Sequence, residues 1–81
     1  MEYVKMIWDF MGEAGQNTAK HFEIHLKEFL SRDQVPYKKI GMETPIEQQH
    51  NLIYLIVEMS YVDQLRAALK PHRGQKVTLE D

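Results

Sequence analysis

No cysteine occurs in the 81 residues. That excludes disulfides, thiolate metal centres and cysteine nucleophiles, and nothing in the composition points to secretion. Glycine and proline are scarce, at four and three residues, so a fibrous or low-complexity chain is excluded as well. Long apolar runs are missing too. The longest near-apolar stretch, residues 52–57 (LIYLIV), is far too short to cross a bilayer, and no membrane association is expected. The opening MEYVKMIWDF carries Glu2 and Lys5 and no apolar h-region, so a signal peptide is not expected and the cytoplasm is the default location. Neither sign of charge dominates: a net charge of -2 exerts no general pull on nucleic acid or anionic lipid. No phosphate loop, dinucleotide glycine fingerprint or serine-hydrolase elbow is found.

What is present reads as an ordinary globular domain spanning 1–81, with 43% hydrophobic and 27% charged residues. A chain of this size buries only about 60–65% of its unfolded surface. Residues 3–11 (YVKMIWDFM) alternate with period two, as a strand with one buried face does. Residues 12–16 (GEAGQ) break that pattern. Asn17 or Thr18 is expected to cap a helix whose stripe is Ala19, Phe22, Leu26, Phe29 and Leu30. Pro36 forces that helix to end before it. Residues 37–43 form a weak second strand interrupted by Gly41, and residues 44–49 (TPIEQQ) a polar connection carrying Pro45. Residues 50–59 (HNLIYLIVEM) are the strongest strand. Ser60 and Asp63 fit a capping box for a second helix reaching Leu69, with Val62, Leu65, Ala68 and Leu69 inward. Residues 75–79 (QKVTL) make a last strand.

The order β-α-β-β-α-β predicts an α+β, ferredoxin-like βαββαβ sandwich: a four-stranded antiparallel sheet with two helices on one face. The helices should cover Val4, Met6, Trp8, Phe10, Ile53, Leu55 and Val57, which makes Trp8 a core residue. The other face then shows Ile7, Met11, Leu52, Tyr54 and Ile56, an exposed apolar stripe of the kind that marks an interaction surface. A homodimer through this open face would cover it. RNA recognition on such a sheet needs stacking aromatics and basic residues in the central strands. Strand 3 offers one tyrosine and no arginine, so no nucleic-acid partner is expected.

In size, element order and semi-apolar open face the chain resembles the dimeric α+β-barrel families. The resemblance implies two subunits packed sheet to sheet, and a cleft between sheet and helices that several members use for small molecules. It carries no catalytic residue onto this chain.

The stretch TAKHFEIHLKEF (residues 18–29) sets His21 and His25 four apart on the first helix, where both imidazoles can meet one ion or ligand. They lie along one border of the apolar stripe, beside Glu28 and Arg32. Phe22 stands where the zincin pattern needs glutamate, so a metalloprotease is rejected. Strand directions bring Asp9, His21, His25, Glu43, His50 and His72 toward one end of the sandwich. Three readings follow. In a homodimeric binding module, His21, His25 and His50 would hold a divalent transition metal, or the same end would take a small polar molecule, with Asp9, Glu43 and His72 lining the cleft. Alternatively His21 or His25 would be a catalytic base oriented by Asp9 or Glu43, in a small isomerase, cyclase or oxygen-using enzyme. In the third, the histidines are ordinary surface residues of a regulatory or structural protein. Residues 70–76 (KPHRGQK) place Lys70, His72, Arg73 and Lys76 around a turn that could hold a phosphate or carboxylate. The plainer role for those cations is to meet the negative end of the preceding helix.

Overall fold

The computed structural model describes residues 2–44 and 50–78. It contains β1 (Glu2–Met11), α1 (Gly15–Arg32), β2 (Lys39–Glu43), β3 (His50–Glu58), a 3-10 turn (Met59–Tyr61), α2 (Val62–Leu69) and β4 (Arg73–Thr78). The fold is α+β, in the expected βαββαβ element order. The four strands form one antiparallel sheet in the order β2-β3-β1-β4. Pro45 and Leu79, which the sequence reading placed in a connection and in the last strand, lie outside the described residues.

Alternation along β1 and β3 separates two faces. On one, Val4, Met6, Trp8, Ile53, Leu55 and Val57 join Ala19, Leu26 and Leu30 of α1 and Leu65 of α2 in a single core, so both helices cover this face. Each fully buried aliphatic side chain there contributes roughly 1.5–3 kcal/mol relative to exposure. Trp8 is core as expected. Its ring lies 5.0 Å from that of Phe22, and its indole N–H donates to the Leu69 carbonyl at 2.9 Å, which occupies an acceptor at the end of α2.

Helix boundaries depart from the sequence reading. α1 begins at Gly15, two residues before the expected Asn17 or Thr18 cap, and its N-cap residue Ala14 supplies no side-chain bond. The cause is packing: a Cβ at Gly15 would lie 2.9 Å from the Phe10 carbonyl oxygen, so the β1–α1 junction closes only around glycine. Thr18 lies inside the helix and its hydroxyl donates back to the Ala14 carbonyl at 3.0 Å, as helical threonines do. At the far end Val35 N–H donates to Leu30 O and Gln34 N–H to Ser31 O, with Gln34 at φ 54°. That is a Schellman closure whose left-handed position carries glutamine. The capping box at Ser60 does not form. A 3-10 turn takes its place, α2 starts from Tyr61 without a side-chain cap, and Asp63 meets the helix dipole instead. Ala68, expected inward, is exposed.

The second face differs most from expectation. Met11 is 63% exposed, but Ile7, Leu52 and Tyr54 retain only 3%, 5% and 8% of their surface. Their cover is the chain's own long side chains. Arg73 pairs with Ile7 across β1 and β4 while its guanidinium reaches Asp9, so its stem lies along Ile7. Lys5 crosses the Tyr54 ring at 4.7 Å and ends 3.7 Å from Glu43 of β2. Lys39 approaches the same ring at 6.0 Å. Beneath them the Tyr54 side chain lies across Gly41, where a Cβ would come within 2.7 Å of its hydroxyl. Aliphatic stems thus roof the face while their charges stay wet. Of the expected stripe, Ile7, Leu52 and Tyr54 are thus buried within the chain while Met11 stays exposed, and the Tyr54 ring is not displayed for base stacking.

Candidate functional site

At the end of the sheet where β1 finishes and β3 and β4 begin, Asp9 is the centre of a polar cluster. Its carboxylate accepts two bonds from Arg73, Nε to Oδ2 at 3.0 Å and Nη2 to Oδ1 at 2.9 Å. It also lies 2.8 Å from His50 Nε2. An ionised carboxylate only accepts, so His50 carries a proton on Nε2, and the neutral ring then leaves Nδ1 as an acceptor. The Arg73 guanidinium beside Asp9 holds its carboxyl below the usual carboxylate range; partial burial opposes this and His50 reinforces it. Arg73 is pushed upward in turn by Asp9. Asp9 also donates its backbone N–H to His72 Nδ1 at 2.8 Å, and the His72 N–H donates to Ile7 O at 2.9 Å. With Pro71 unable to donate, the His72 ring closes the β1–β4 ladder where backbone pairing stops.

Of the residues read from sequence, Asp9, His50 and His72 therefore meet. The others do not join them. His21 and His25 stand exposed on α1, on the helix side of the sheet, whereas His50 belongs to the opposite face. His25 has a side chain 76% exposed, with Nδ1 3.4 Å from its helical neighbour Glu28. The proposed ligand set His21, His25 and His50 is divided by the sheet itself, and the described residues contain no group of three histidine, aspartate or glutamate side chains placed to hold a metal ion. Catalytic pairing of His21 or His25 with Asp9 fails for the same reason; the imidazole beside Asp9 is that of His50. Glu43 is bound by Lys5 and shares a row with Asp9 across Leu52, so a buried leucine separates the two carboxylates.

A groove of about 410 Å³ opens on the helix side, between α2 and β4. Its shape follows from the sequence of β4. The helix-side positions there are Gly74 and Lys76, paired with Met6 and Val4, so no apolar side chain from β4 rises to meet α2. The floor is Val4 and Met6, and Met59 and Val62 form one wall. Arg66, one turn after Val62, His72 just before β4, and Arg73, Gln75 and Lys76 within it supply the polar lining. No lining residue is acidic, and among the described residues neither Arg66 nor Lys76 has an ionic partner. The volume lies within the range of small-ligand clefts.

The sequence reading singled out Lys70, His72, Arg73 and Lys76 as one cationic turn. Of these, His72, Arg73 and Lys76 line the groove. Arg73 is taken up by Asp9, and Lys70 closes α2 in the left-handed conformation, its N–H donating to Arg66 O at 3.1 Å. Arg66 was missed. The missing apolar alternation on the inner side of β4 was the signal that a gap lies there. Compared with protein families, with curated proteins and with solved structures, the chain matches none.

Proposed function

We propose that the chain is a ferredoxin-like binding module that holds a small organic ligand between α2 and β4. The observation that carries this reading is the groove: concave, floored by Val4 and Met6, and lined by polar groups from α2 and β4. A metal is not part of the reading, because its expected ligands lie on opposite faces of the sheet. Nor does it call on a sheet-to-sheet dimer, since Ile7, Leu52 and Tyr54 of the open face are already buried within the chain. The test uses the neutral fluorescent probe N-phenyl-1-naphthylamine. Its emission should rise saturably with protein, and Gly74→Leu should abolish the rise. Gly74 accepts a Cβ at 3.6 Å from Val4, so this substitution fills the groove without straining the strand. Non-saturable emission, or binding indifferent to Gly74→Leu, sinks the reading.

A second reading has its own observation. Asp9 orients the His50 ring through Nε2, leaving Nδ1 as a base or nucleophile, as in carboxylate-oriented catalytic imidazoles. Hydrolysis of p-nitrophenyl acetate tests it. Turnover above that of free imidazole and lost in His50→Ala supports a catalyst, and turnover no faster than free imidazole removes it.

A further inference from the structure

We propose that the ligand of the α2–β4 groove is an amphipathic carboxylate, whose tail lies on Val4, Met6 and Val62 and whose head is held by Arg66, Lys76 and His72. The proposal rests on the groove reading above and names its ligand class. Three features of the lining select this chemistry. The floor and one wall are aliphatic and favour a hydrocarbon body. The charged lining is of one sign only, in a chain whose net charge is negative. Selection for negative charge therefore comes from local placement and not from the overall field of the molecule. Arg66 and Lys76 reach the site on aliphatic stems that prolong the apolar walls and carry their charge to the rim.

His72 adds direction to charge. Its Nδ1 accepts the Asp9 backbone N–H, so its proton resides on Nε2, and the ring is held by that bond on a backbone anchored by the His72 main-chain N–H to Ile7 O. A neutral imidazole held in one tautomer offers a single donor that needs no reorientation on binding. A carboxylate oxygen completes it with a charge-assisted hydrogen bond, and an ammonium head group cannot.

Octanoate, 1-octanol and octylamine share a tail and differ in head charge. Competition of each against N-phenyl-1-naphthylamine, followed by amide NMR of the whole chain, separates the possibilities. Octanoate should bind about tenfold more tightly than octanol, and octylamine most weakly. Arg66→Ala with Lys76→Ala should bring octanoate down to the affinity of octanol. His72→Asn retains an acceptor for the Asp9 N–H while deleting the Nε2 donor, and should weaken octanoate by about tenfold and leave octanol unchanged. Unaltered amide resonances of Val4 and Met6 in the unliganded variant show that the sheet beneath the groove is intact. Octanol binding as tightly as octanoate overturns the carboxylate proposal and leaves the groove reading standing. Failure of all three compounds and of the fluorescent probe overturns both. Octanoate affinity unchanged in His72→Asn removes the directional role given to His72, and with it the proposal as stated.

Discussion

At the scale of single residues, close approach and charge decide what each position tolerates. Gly15 abuts the Phe10 carbonyl, a backbone atom that cannot rotate away. Gly15→Ala is therefore expected to cost about 1–3 kcal/mol in urea unfolding, and a cost under a few tenths would show that the β1–α1 junction has slack. Asp9 gives a pH-dependent counterpart. Its folded carboxyl is held below the unfolded value of about 3.9, so its stabilisation is complete above that value and is lost as the pH falls through the folded one. Solvent reaches the Asp9 cluster, which limits its worth to about 1 kcal/mol. Asp9→Asn should accordingly be less stable than the parent at neutral pH, with the gap closing as the pH falls through the lowered range in which the folded carboxyl titrates. A gap that persists in acid would mean that packing, and not charge, distinguishes the two.

At the scale of elements, α1 and α2 are secured differently. α1 buries Gly15, Ala19, Leu26 and Leu30, whereas α2 buries Leu65 alone. Leu65→Ala should cost about 2–5 kcal/mol and speed amide exchange through α2 before α1. Uniform loss of protection would instead mark the two helices as one cooperative unit. Gln34 holds the left-handed position that ends α1, so Gln34→Gly should stabilise the chain by about 0.5–1 kcal/mol, read as a raised urea midpoint. These elements also show what a sequence can and cannot reveal. The strands and the α1 stripe were legible because a period of two or 3.6 is written directly in apolar positions such as Val4, Met6 and Trp8, or Leu26 and Leu30. The expected caps at Asn17 or Thr18 and at Ser60 do not form, because local preference is overridden by the packing of Gly15 on Phe10 and by the 3-10 turn that precedes α2. For the site, topology correctly gathered Asp9, His50 and His72 at one end. It placed His21 and His25 with them by position along the fold, although the alternation of β3 already puts His50 on the face of the sheet that the helices do not cover.

At the scale of the whole molecule, the sheet's second face is closed by side chains that the sequence shows simply as lysine and arginine at alternating positions. Nothing in period-two alternation tells whether Lys5 stands upright in water or bends across Tyr54 toward Glu43. The bend has a measurable consequence. Lys5→Ser with Arg73→Ser removes most of the roof over Ile7, Leu52 and Tyr54, and should convert a monomer in light scattering into associating species at micromolar concentration. A double variant that stays monomeric would show the roof to be dispensable, and a parent already of dimer mass would return the open face to the role of an interface. The ladder closure at His72 carries the last consequence. That imidazole lines the groove on one side of the sheet, yet its acceptor nitrogen is tied to the amide of the residue whose carboxylate anchors Arg73 and His50 on the other. The Asp9 amide proton is thus a built-in reporter. Any molecule that tugs on the ring should move its resonance, so occupancy can be read from an amide of the sheet without touching the ligand.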